Sequence, residues 1–161
     1  MVVQGHIDIT GDTVHFVLGG RNSLCVQSFL QDFSTPPRVT DLATPKPGPG
    51  EVLVRVKASS INGFDAAVVA GWLEGMLEHR FPIVMGKDFA GTVEATGDGA
   101  ARFAAGDAVF GVVMKPYVGD GGLSEYVTVN EQYGIAGVPE GLDLHAAGAL
   151  GLAGTAALDM I

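Results

Sequence analysis

The chain has 161 residues, with 9 Lys and Arg against 18 Asp and Glu, and a formal net charge of −9. That balance, without any basic stripe, argues against nucleic acid and anionic membrane as partners. Hydrophobic residues make up 47% and charged residues 17%, which excludes a disordered chain and leaves room for one domain with a real core.

A single cysteine, Cys25, rules out an intrachain disulfide. The N-terminus lacks the basic and long apolar regions of a signal peptide. The longest uncharged run of small residues, 146–158, is too short to span a bilayer. A cytoplasmic protein is the expectation.

Residues 1–24 read as an N-terminal extension. Two alternating stretches, Gly5 to Thr10 and Thr13 to Leu18, flank Gly11-Asp12, a pair suited to a two-residue hairpin turn. His6 and His15 could lie on facing strands, but two imidazoles without a third ligand make a poor metal site. Leu24 to Phe29 and Arg38 to Leu42 read as short strands separated by the Thr35-Pro36-Pro37 turn. In Thr44-Pro45-Lys46-Pro47-Gly48-Pro49-Gly50 the prolines remove backbone donors and leave a rigid surface connection.

Glu51 to Ser59 is the clearest strand: Val52, Val54 and Val56 alternate with Leu53, Arg55 and Lys57, giving one buried and one solvated face. Asn62-Gly63-Phe64 reads as a turn, with Asp65 as N-cap of a helix over Ala66 to Ala70 that Gly71 stops. From Val84 to Val113, apolar runs alternate with Gly and Gly-Asp pairs, the pattern of short strands joined by tight turns. A flexible Gly119-Asp120-Gly121-Gly122 follows, then an alternating strand from Leu123 to Val129 and a further one between Tyr133 and Pro139. From Asp143 the spacing of Leu144, Ala147, Leu150, Leu152 and Ala156 among many alanines predicts helical segments, interrupted by Gly151 and Gly154. Three regions result: the extension 1–24, a β domain 25–142 and a helical tail 143–161.

Several stretches carry a family resemblance. They are Pro47 to Val56, Ser60-Ile61-Asn62-Gly63-Phe64-Asp65, Gly86-Lys87-Asp88-Phe89-Ala90-Gly91-Thr92-Val93, Phe103 to Gly111, Gly121 to Tyr126 and Ala147 to Ala156. In this order and spacing they resemble the N-terminal, catalytic half of the medium-chain dehydrogenases/reductases, in particular the zinc-independent quinone oxidoreductases. The resemblance implies a mainly β fold with short helices, a GroES-like partly open barrel. It also implies that the final helix leads toward a Rossmann domain that this chain lacks. No strand–Gly-x-Gly-x-x-Gly–helix unit occurs here; Gly97-Asp98-Gly99-Ala100-Ala101-Arg102 misses the third glycine.

Departures from the family pattern bear on mechanism. Zinc-dependent members would carry Cys at Asn62 and Gly-His-Glu at Gly86-Lys87-Asp88. A charged lysine has no lone pair to offer a metal, so no zinc is expected. The resemblance implies NADP(H) or NAD(H) as cofactor and a quinone, enone or other activated carbonyl compound as substrate. Asn62 could donate to a carbonyl oxygen of substrate or cofactor as hydride arrives, or bond its own turn. Lys87 could stabilise or protonate an oxyanion, or fill the vacated metal position with an ion pair to Asp88 or Asp65. Thr155 resembles a threonine close to the nicotinamide carboxamide, or bonds back within its helix. Tyr117 and Trp72 could line a substrate cleft. The alternative is a stand-alone GroES-like binding module without enzymatic activity, which self-associates or meets a partner through the apolar tail.

Overall fold

The computed structural model describes residues 6–10, 13–17 and 24–160, with side chains from residue 30 onward. Strands β1 (His6–Thr10) and β2 (Thr13–Val17) pair antiparallel, Thr10 opposite Thr13 and Asp8 opposite His15. The Gly11-Asp12 turn lies outside the described residues, as do the side chains of His6, His15 and Cys25.

Strand β3 (Leu24–Leu30) lies between β4 (Arg38–Ala43) and the short β6 (Ile83–Val84) in a three-stranded antiparallel sheet. The larger sheet has five antiparallel strands. Its order is β10 (Ile135–Gly137), β8 (Ala108–Val112), β7 (Asp88–Thr96), β5 (Glu51–Ala58) and β9 (Tyr126–Asn130). The fold is therefore mainly β, a curled sheet with a few short helices. These are α1 (Gly63–Val69), α2 (Leu144–Ala147) and α3 (Gly151–Asp159).

Val52 and Val54 are fully buried as their alternation requires, but Leu53 is buried too, so the solvated face of β5 begins only at Arg55. Strand β5 sits between β7 and β9, and α2 packs over it, which covers more of it than alternation alone implies. Gly91 on β7 is a point of close approach within the sheet. A Cβ there would come within 2.0 Å of the Arg55 carbonyl oxygen, and the β5–β7 register shifts beside it, between Val56 and Ala58.

Two hydrophobic clusters result. One fills the five-stranded sheet and includes Val52, Val54, Phe89, Val109, Val113 and Val127. The other joins Leu30, Val68, Ile83, Met85, Val118 and Leu123, with Phe33 and Phe64 packed against it. The Gly119–Gly122 segment, expected to be flexible, is held in place. The Gly119 carbonyl accepts the Val84 N–H at 2.7 Å, and the Gly122 N–H donates to the Gly86 carbonyl at 2.8 Å. Its glycines serve close approach, since a Cβ on Gly121 would lie 2.2 Å from the Met85 carbonyl oxygen.

Candidate functional site

The start of α1, the turn before β7 and the start of α3 converge on Asp88. Its side chain is completely buried. One carboxylate oxygen accepts the Ser60 hydroxyl and the Asn62 amide at 2.9 Å, and the other accepts the backbone N–H of Leu152 at 2.7 Å. Leu152 lies in the first turn of α3, where N–H groups lack partners inside the helix, so Asp88 closes that end from across the fold. Gly151 makes this possible: a Cβ there would lie 2.6 Å from Asp88 Oδ1 and 2.4 Å from the Gly111 carbonyl oxygen.

Asn62 is the N-cap of α1, and Asp65 occupies the third helical position. Asp65 is therefore not the N-cap that the sequence suggested. One of its carboxylate oxygens accepts the Asn62 N–H at 2.8 Å, the reach-back of a capping box, and the other accepts the Gly86 N–H at 3.0 Å. Burial pushes the Asp65 carboxyl above its ordinary range, against the pull of these two N–H groups. The Asn62 amide nitrogen donates to Ser60 Oγ at 3.3 Å as well as to Asp88. Its donors are turned inward.

Lys87 points elsewhere. Its Nζ donates to the Val113 carbonyl at 3.1 Å and lies 5.0 Å from the centroid of the Phe64 ring. Among the described residues no carboxylate is within ion-pair distance of it. The expected ion pair with Asp88 or Asp65 is thus absent, and Asp88 is occupied by Ser60, Asn62 and Leu152. Burial lowers the Lys87 pKa, and the more distant charges of Asp65 and Asp120 only partly offset this. The Thr155 hydroxyl donates to the Gly151 carbonyl at 2.7 Å, one turn back in its own helix.

A second polar cluster went unread in the sequence. Lys115, whose side chain is 10% exposed, forms an ion pair with Glu51, donates to Thr128 Oγ1 at 3.2 Å and lies 3.6 Å from Asp120. Burial raises the Glu51 pKa, but the bonds from Lys115 and the Gly48 N–H outweigh it, and the net shift is downward. The Tyr117 hydroxyl donates to Asp120 at 2.9 Å, and its ring lies 3.7 Å from the Arg80 guanidinium. Trp72 stands 74% exposed. Ser60 was also missed, because a lone serine before a turn carries no signal until the fold brings Asp88 to it.

With the fold and site in view, comparison with known proteins is direct. Residues 48–140 match the model of the alcohol dehydrogenase GroES-like domain, and the chain belongs to that family. It is 32% identical over 117 residues to a chloroplast envelope quinone oxidoreductase homolog of Arabidopsis thaliana, covering 73% of this chain and 35% of that protein. It is 35% identical over 100 residues to the chloroplastic quinone-oxidoreductase QR1 of Triphysaria versicolor, covering 62% and 30%. Among solved structures, an alcohol dehydrogenase superfamily protein from Novosphingobium aromaticivorans superposes with a TM-score of 0.70 at 33% identity, covering 80% of this chain and 38% of that one. The quinone oxidoreductase from Coxiella burnetii gives 0.71 at 26% identity, covering 84% and 44%. The chain spans about a third of the length of the curated relatives it matches. No helix among the described residues is long and apolar enough to cross a membrane.

The two side chains expected to meet a nicotinamide, Asn62 and Thr155, both spend their donors inside the protein. Their side-chain oxygens keep lone pairs that can accept a hydrogen bond. Lys87 is the polar group of the site with hydrogens to spare.

Proposed function

We propose that this chain forms the substrate-side part of an NAD(P)H-dependent, zinc-independent oxidoreductase that reduces a quinone, enone or other activated carbonyl compound. Membership of the alcohol dehydrogenase GroES-like family and similarity to quinone oxidoreductases support the oxidoreductase class. The observation that carries the reading is Lys87, a partly buried amine with one carbonyl acceptor and, among the described residues, no carboxylate within ion-pair distance. A substrate oxygen placed beside it receives a hydrogen bond as negative charge develops, and a proton once the charge has formed. The inward network of Ser60, Asn62 and Asp88 serves as the frame that sets the start of α1, and Phe64 with it. A dinucleotide would be held in the main by groups outside this network.

The test is a chimera in which this chain replaces the corresponding N-terminal part of the Arabidopsis relative. NADPH oxidation by a small quinone or enone is expected, falling about a hundredfold or more in Lys87→Met. A folded chimera that binds NADPH yet reduces neither compound sinks the reading and leaves the binding-module alternative.

A further inference from the structure

A cavity of about 210 Å³ is lined from both sheets, by Leu42 of β4, Val84 of β6 and Val127 of β9, with Pro45 and Pro82 completing an apolar wall. An apolar cavity of about 150 Å³ is enough to take benzene, so this one has room for a single aromatic ring and a short polar arm. Asp120 is the one charged group among the described residues of the lining. One of its oxygens accepts the Tyr117 hydroxyl at 2.9 Å and lies 3.6 Å from Lys115 Nζ. No hydrogen bond from the described residues reaches the other oxygen.

The charges around the cavity leave Asp120 in excess. Lys115 is held by Glu51 and Thr128, and Arg80, which stacks on Tyr117, is paired with Glu78. Glu51 and Asp120 thus set two negative charges against the one positive charge of Lys115. No Lys or Arg is among the described lining residues. The Ser124 hydroxyl, also in the lining, turns its hydrogen to the backbone carbonyls of Gly121 and Tyr126, so it offers an anion nothing.

We propose that this cavity binds a small aromatic cation of the arylmethylammonium class, its ring against the proline and aliphatic wall and its N–H groups on Asp120. A carboxylate with an open acceptor site beside an apolar hollow matches both ends of such a molecule. The site goes beyond the reductase reading. Neither Lys87 nor Asp88 lines it, so its failure would leave that reading untouched.

The test is an amide NMR titration of the intact chain with benzylammonium chloride at pH 7, with benzyl alcohol as the neutral ring of nearly the same shape. Saturable shifts at Ala43, Val84, Gly121 and Thr128 are expected, with a Kd of about 1 mM, ordinary for so small a ligand. Benzyl alcohol should bind the same residues about tenfold more weakly, since it lacks the charge-assisted hydrogen bond. Asp120→Asn, which keeps an acceptor for Tyr117, should bring the two affinities together. Equal affinities in the wild-type chain would overturn the proposal by leaving Asp120 without a role. So would shifts that spread over the surface without saturating, which would reflect only the net charge of −9. The wild-type pair of titrations decides the matter even where the variant fails to fold.

Discussion

Lys87 and Asp88 are neighbours in sequence, yet they serve separate surroundings. Successive residues entering an extended strand project to opposite faces, so Asp88 turns into the junction of α1 and α3 while Lys87 reaches Val113 and Phe64. The sequence suggested an ion pair because opposite charges stood side by side. The strand geometry forbids it. Removing the Asp88 carboxylate leaves the Ser60 hydroxyl, the Asn62 amide and the Leu152 N–H without their acceptor in a buried place. Asp88→Ala should therefore lose about 2–4 kcal/mol of stability, read from urea unfolding curves of the two proteins. A loss under about 0.5 kcal/mol would mean that water or a rearranged Ser60 takes over the carboxylate's bonds. Asn62 was legible as a residue of interest, but not the direction of its amide, because Asp88 lies 26 positions away in sequence.

Among the elements, β5 and β7 could be read from alternation and glycine placement, and α2 from the apolar spacing after Asp143, whose carboxylate the structure shows capping the helix by accepting from the His145 and Ala146 N–H groups. Helix α1 was set too late. Asn62 and Asp65 are both capping types, and the Asn-x-x-Asp spacing corresponds to a capping box in which the first residue caps and the second reaches back. The Gly119–Gly122 segment was misread for a different reason. Glycine permits both freedom and close approach, and only the neighbouring Met85 and Asp88 carbonyls show which one is used. The same distinction yields a paired test on strands. Gly91→Ala would drive a methyl into the Arg55 carbonyl, whereas a Cβ on Gly137 meets nothing within 4 Å. The first should destabilise by more than about 3 kcal/mol and the second by under about 0.5 kcal/mol. Equal thermal midpoints for the two variants would show that β5 and β7 can part at Gly91 without loss.

At the scale of the molecule, the family match ends at residue 140, yet the tail beyond it is joined to the sheet. Ala147 is fully buried, a Cβ on Gly148 would collide with Ala58, and α3 begins on Asp88. The far end of α3 is different, with Leu158 71% and Met160 83% exposed. The repeated small residues of the tail announced a helix. They did not say that its first turn would complete the Asp88 cluster, since that depends on a carboxylate 64 positions earlier.

The two hydrophobic clusters also meet at Lys87: Val113, which supplies its carbonyl, belongs to the larger, while Phe64, which supplies its ring, packs against the smaller. Separate clusters can loosen at different free energies. Amide exchange should therefore be faster in α1 and β6 than in β5 and β7, and low urea should widen that gap before the sheet unfolds. Uniform exchange rates across both clusters would remove this expectation. Where the gap exists, Lys87 sits on a seam, and loosening of the smaller cluster hydrates the amine and returns it toward an ordinary lysine. Its chemistry then becomes a gauge of partial opening, lost while the β sheet is still intact.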